Sequence, residues 1–186
     1  MNRLPVFFFC LSLLTASAVA AQSVHTLAFE FQAYPTGLIP GLTFEHGFGA
    51  RHSLHARLGY NWIRHGDKGV QDKEWGDGLG GTLGYRYFFR PAWQGWFLGA
   101  RADFWRSRLH WEDKDAAGAV INAGLSKISV IQPTAEAGYR FPLGANGSWF
   151  LAPSAALGVE INVKTDGAKV GEGMILLLGI SAGRQF

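Results

Sequence analysis

Apolar and non-apolar side chains alternate with a period of two through eight stretches of this chain, approximately 24–33, 40–48, 52–64, 77–89, 95–111, 127–141, 149–163 and 173–186. A period of two sends successive side chains to opposite faces, so each stretch predicts a β-strand that meets a different environment on each face. In the third stretch Leu54, Ala56, Leu58, Tyr60 and Trp62 alternate with His55, Arg57, Gly59 and Asn61. In the seventh, Trp149, Leu151, Pro153, Ala155, Leu157, Val159, Ile161 and Val163 alternate with Phe150, Ala152, Ser154, Ala156, Gly158, Glu160 and Asn162. A tilted strand crosses a bilayer in about 9–11 residues, and each stretch is long enough. Two features disturb the pattern. Phe104-Trp105 puts large aromatics on both faces, and Pro133 and Pro153 each remove a ladder donor, so a bulge is expected near these prolines.

The connections alternate in length. Short turns are predicted at 49–51, 90–94 and 142–148, and longer polar loops at 65–76, 112–126 and 164–172, with a brief first outer connection at 34–37. A membrane barrel with both termini on one side has this order, short turns on the periplasmic side and long loops outside. The expected fold is therefore all-β, an eight-stranded antiparallel up-and-down transmembrane barrel.

Alternation alone leaves open whether the apolar face lines a soluble carrier or meets lipid. The chemistry of the other face decides it. That face collects Glu30, Glu45, Arg57, Arg86, Arg101, Asp103, Glu136, Arg140 and Glu160, interleaved with glycines such as Gly59, Gly80, Gly84, Gly138 and Gly158. An eight-stranded barrel has an interior only wide enough for side chains, and charges buried there must pair. Near-balanced long charges beside glycines suit such a lumen, and each of the four arginines is expected to have an acidic neighbour. The apolar face then points into lipid. Trp62, Trp75, Tyr85, Tyr87, Trp93, Trp96, Trp111, Tyr139 and Trp149 lie near strand ends, where two aromatic girdles are expected. The parity of Trp105 and Phe150 points inward.

The first residues change the picture of the mature chain. Met1-Asn2-Arg3, the apolar run Leu4–Leu14 and the small residues to Ala21 have the order of a secretory signal, with Ala18-Val19-Ala20 as the cleavage motif. The expected division is 1–21 as cleaved signal and 22–186 as barrel. Cys10 falls inside the signal, so the mature chain has neither disulfides nor thiolate metal sites. With 25 glycines, 14 phenylalanines and 7 tryptophans, the composition is unusual for a soluble domain. The net charge of +3 is spread without a basic stripe, which speaks against nucleic acid as a partner.

The last stretch, Met174 to Phe186, alternates and ends on phenylalanine. With the eight-strand pattern it resembles the small outer-membrane barrels of the OmpA transmembrane and OmpX type. The resemblance covers the mature chain as architecture and implies outer-membrane localisation, with Phe186 as the C-terminal signal read by the barrel-assembly machinery. Arg184 departs from the apolar residue usual in that signal. No C-terminal domain is expected after Phe186. The implied role is structural or surface-interacting, as a monomer with a closed lumen and without a cofactor; a narrow pore is the alternative within the same fold.

A second alternative is enzymatic. The lipid A deacylases resemble such barrels but carry a His and a Ser two apart on the lipid face near the outer rim. Here His52-Ser53 is adjacent and lies at a short turn, and His110 has only Ser107, of opposite parity, so catalytic residues are not expected. The six histidines are dispersed, so a metal site is not expected either. One outward cluster does suggest a ligand. Continuing the outward parity of strand five gives Arg106, Arg108 and His110, and strand six gives Lys127. Near the outer interface such bases are expected to meet the phosphates of lipopolysaccharide.

Overall fold

The computed structural model describes residues 24–66 and 70–186; the expected signal segment lies outside them. Eight strands follow one another: β1 (Val24–Tyr34), β2 (Gly37–Phe48), β3 (His52–Gly66), β4 (Lys73–Arg90), β5 (Gln94–Lys114), β6 (Val120–Leu143), β7 (Trp149–Asp166) and β8 (Gly173–Gln185). Each pairs antiparallel with the next, and β1 with β8, so the sheet closes into an up-and-down barrel without a free edge along its wall. At the seam His25 and Phe186 exchange both backbone hydrogen bonds. Among the described residues no helix is long and apolar enough to cross a membrane.

The alternation becomes a physical division between inside and outside. Leu58 and Leu79 are 77% and 70% exposed, while Arg57 and Asp103 are 3% and 0% exposed. This is the reverse of a soluble barrel. Continuous hydrocarbon on the outer wall is stable in lipid, and closure satisfies the backbone without water.

Three layers fill the lumen. At the end bearing the short turns, Phe88, Trp93, Phe97 and Phe150 form an aromatic plug with Ala28 and Ala152. The charged side chains occupy the middle. Toward the other end Ile39, Ile63, Trp105, Leu109, Ile128, Val130 and Leu177 form a second apolar layer. Inward glycines provide the space. A methyl at Gly47 would overlap the Trp93 ring, one at Gly80 the Trp105 ring and one at Gly138 the Phe97 ring.

Several sequence expectations are corrected here. The outer connections are shorter than predicted, because β4 begins at Lys73 and the β5–β6 hairpin continues to Lys114 and Val120. The ladder continues where the apolar pattern fades, since antiparallel hydrogen bonds do not require lipid on one face. Trp93 belongs to no girdle: it follows Pro91 in a 3-10 turn (Pro91–Trp93), and positive φ at Ala92 and Trp93 folds its ring into the lumen. Trp111 also leaves the girdle, packing against Gly124 on the inward face of the hairpin. The pairing keeps its register on both sides of Pro133 and Pro153, and the β6–β7 shift lies instead at Ser129/Val130.

The plug makes a prediction. Gly47→Ala should destabilise the barrel by roughly 1–3 kcal/mol through overpacking against Trp93. In a Trp93→Ala background most of that loss should vanish. Urea unfolding of the four variants in lipid vesicles checks it, and an equal loss in both backgrounds would contradict the packing.

Candidate functional site

Inward parity brings eight of the nine predicted lumen charges into one layer, and the register between strands determines who meets whom. Arg57 of β3 reaches Glu30 of β1 at 3.2 Å and Asp103 of β5 at 2.9 Å. Arg101 lies 2.6 Å from Asp103, two residues along the same face, and also donates to Gln32 at 3.1 Å. Arg86 of β4 makes two bonds to Glu136 of β6, at 2.8 and 3.0 Å, in a fork geometry that a lysine cannot reproduce. Arg140 of β6 reaches across to Glu45 of β2.

Short polar side chains complete the shell. Thr43 and Gln32 donate to Glu30, Ser53 donates to Glu45, and Thr82 donates to Asp103. The arginines also lean on the apolar layers. The guanidinium of Arg140 stands 4.4 Å from the Phe150 ring, that of Arg86 4.9 Å from Phe97, and that of Arg57 5.6 Å from Trp105. Such packing desolvates the charges and makes their pairing obligatory. His55, whose parity places it on this face, is also buried here, and neither ring nitrogen has a hydrogen-bond partner among the described residues.

Glu160 stands apart from the network. Among the described residues no arginine reaches it, and it accepts a hydrogen bond from Gln132 above the Trp105 layer. There it shares a small chamber with Tyr34, Asn61, His65 and Glu74. The polarity of 65–76 predicts a loop at His65 and Glu74. They are paired opposite each other in the β3–β4 ladder, and extending the inward parity of Arg57 and Arg86 past the apolar stretches would have found both.

On the outer wall, Arg106, Arg108 and Lys127 line one groove with Tyr60, Asp77 and Leu79. Cross-strand pairing sets Trp62, Asp77, Arg108, Lys127 and Asp166 side by side over five strands. All three bases are exposed, and among the described residues none of them forms an ion pair, whereas Asp77 accepts the Tyr60 hydroxyl. The β6–β7 shift adds a fourth base. Because Ser129 pairs with Lys164 but Val130 with Asn162, the extra β7 residue reverses the parity, and Lys164 joins the outer face. His110 also faces outward, stacked on Trp75, while Ser107 is buried on the opposite face. Phe186 is 64% exposed at the seam, on the opposite end of the barrel from the chamber. Among the described residues no group of three or more His, Cys, Asp or Glu could hold a metal ion.

Arg101→Ala should lower stability by about 3–5 kcal/mol, because the buried carboxylates Glu30, Glu45, Asp103 and Glu136 would be left with only Arg57, Arg86 and Arg140 to balance them. Lys114→Ala, on an exposed hairpin end, should change it by less than about 0.5 kcal/mol. Comparing their urea midpoints in the same vesicles checks the layer, and equal midpoints would contradict it.

A family model described as a protein of unknown function, DUF3575, matches residues 6–159. No curated relative matches the sequence. Among solved structures the chain is similar to the N-terminal β-barrel domain of Pseudomonas aeruginosa OprF, with a TM-score of 0.51 and 13% identity over 87% of this chain and 99% of that one. It is also similar to Neisserial surface protein A, with a TM-score of 0.48 and 10% identity over 88% and 96%. A third is Ail of Yersinia pestis, solved with the heparin analogue sucrose octasulfate, with a TM-score of 0.44 and 11% identity over 88% and 97%. At such identity the OprF likeness shows the eight-stranded barrel fold alone.

Proposed function

We propose, for a chain that belongs to the DUF3575 family and folds as an eight-stranded barrel, a structural and surface-interacting role in the Gram-negative outer membrane, anchored by contact with lipopolysaccharide. The observation that carries this reading is the groove of Arg106, Arg108 and Lys127 on the wall that faces lipid. A cation on such a wall is costly near the midplane but costs only about 0–1 kcal/mol near the interface. Three exposed bases without an ion-pair partner among the described residues, on one outward groove, suit an anionic headgroup, and arginine presents a planar fork to phosphate.

The role is non-catalytic and the protein acts as a monomer. The signal segment 1–21 directs export, and Phe186 closing the seam serves the barrel-assembly machinery. The filled lumen supports a closed barrel. Paired arginines in the middle layer and an aromatic plug below it support a lumen blocked to ions, and planar bilayers should show no stable single-channel steps.

The test is lipopolysaccharide retention through matched purification of wild type and an Arg106→Ala, Arg108→Ala, Lys127→Ala triple variant. An exposed ion pair contributes about 0.2–1 kcal/mol, so losing three of them should lower retention roughly tenfold. Equal retention would mean that these bases are only solvated and would overturn the contact.

A further inference from the structure

The chamber above Trp105 has a composition that the rest of the lumen lacks. Below it every carboxylate of the middle layer meets an arginine. Inside it Glu74 and Glu160 face a cavity of about 100 Å³, and among the described residues no arginine or lysine reaches either. His65 donates or shares a proton with one oxygen of Glu74 at 3.1 Å. The other oxygen, Oε1, is buried without a partner, on a side chain only 2% exposed that lines the cavity. His65 can match at most one of the two carboxyls and leaves the other without a cationic partner among the described residues. An unsatisfied buried carboxylate oxygen is expensive, and a ligand that donates to it recovers that loss.

The walls restrict what the ligand can be. Ile63, Leu109, Ile128 and Val130 make one side apolar, and Trp105, held by its bond to Gln132 at 3.0 Å, is the floor. Val170 and Gly171 roof the chamber. The segment 167–172 is folded over the mouth by bonds from Ser126 to the Ala168 carbonyl, Gln71 to that of Lys169 and Asn162 to that of Val170, each 3.0 Å. Gly167 permits the fold-back, with φ at +117°. Among the described residues no group of three or more His, Cys, Asp or Glu is placed to hold a metal ion, and His65, Glu74 and Glu160 are no exception. The volume is smaller than the roughly 150 Å³ cavity that takes up benzene, which limits the ligand to about five heavy atoms.

We propose that this chamber binds a short aliphatic primary amine, with its ammonium group between Glu74 and Glu160 and its chain against Ile63, Leu109, Ile128 and Val130. A primary ammonium has three donors for the carboxylates, and the alkyl chain replaces water along the apolar wall. The site is independent of the lipopolysaccharide groove on the outer surface.

The probe is n-butylammonium, titrated into folded protein in nanodiscs while the methyl resonances of Ile63, Ile128 and Val130 are followed by NMR. Parallel arms use n-butanol, which has the chain without the charge, tetramethylammonium, which has the charge without donors, and calcium ion. The expected result is saturable shifts at these methyls with n-butylammonium alone, weakened roughly tenfold by Glu160→Gln and by Glu74→Gln. Migration of unboiled protein on a gel reports whether each variant folds. If one does not, the comparison of n-butylammonium with n-butanol on the wild type decides alone. Equal response to n-butanol, displacement by calcium, or no saturable shift through the millimolar range would each overturn the proposal.

Discussion

The pairing of charges in a narrow lumen is the constraint on which the rest of this barrel depends. Alternate residues of every strand must enter the interior, and in an eight-stranded barrel that interior has room only for side chains. Arginines placed there draw partners from other strands, even though Arg101 also pairs with Asp103 on its own strand. Arg57 joins β3 to β1 and β5, Arg86 joins β4 to β6, Arg140 joins β6 to β2, and Arg101 joins β5 to β1 through Gln32. A one-residue slip of any of these strands would exchange its inner and outer faces, moving a charge into lipid and a leucine into the ion layer. The network therefore acts as a register lock across the barrel as well as a filling.

That lock explains the order of the layers. Aromatic rings cover both sides of the charges, Phe88, Phe97 and Phe150 below and Trp105 above, and the arginines stack against them. The paired side chains are at most 4% exposed, so little of their strength is lost to screening. Above Trp105 the logic changes. Among the described residues the acids there lack guanidinium partners, and a loop rather than an aromatic plug closes the space, so the two ends of the lumen differ chemically although the strands run through both. The outer wall differs in parallel: plain hydrocarbon over most of its height, then a cationic groove where β4, β5 and β6 pass Leu79.

Much of this was legible in the chain because a strand's period of two is insensitive to its partners. The inner position of Arg57 or Glu136 and the outer position of Leu58 or Arg108 follow from parity alone. What parity does not encode is register between strands, so the partners Arg86–Glu136 and Arg140–Glu45 became visible only in the structure. Local exceptions were hidden for specific reasons. Trp93 turns inward because a short turn with positive φ precedes β5, and Gly47 makes room for it on a distant strand. Lys164 faces outward because one extra β7 residue at the bulge reverses the count. His65 and Glu74 looked like loop residues because polarity was read as the end of a strand, although the ladder continues through them.

The account rests on which aromatics touch lipid and which are sealed inside, and quenching by lipids brominated along their acyl chains measures that directly. In vesicles of such lipids, a variant retaining Trp96 as its one tryptophan should be strongly quenched, since that ring is 63% exposed on the outer wall. A variant retaining only Trp105, 3% exposed above the ion layer, should keep most of its emission. Comparable quenching of the two would contradict the division between a charged interior and an apolar exterior.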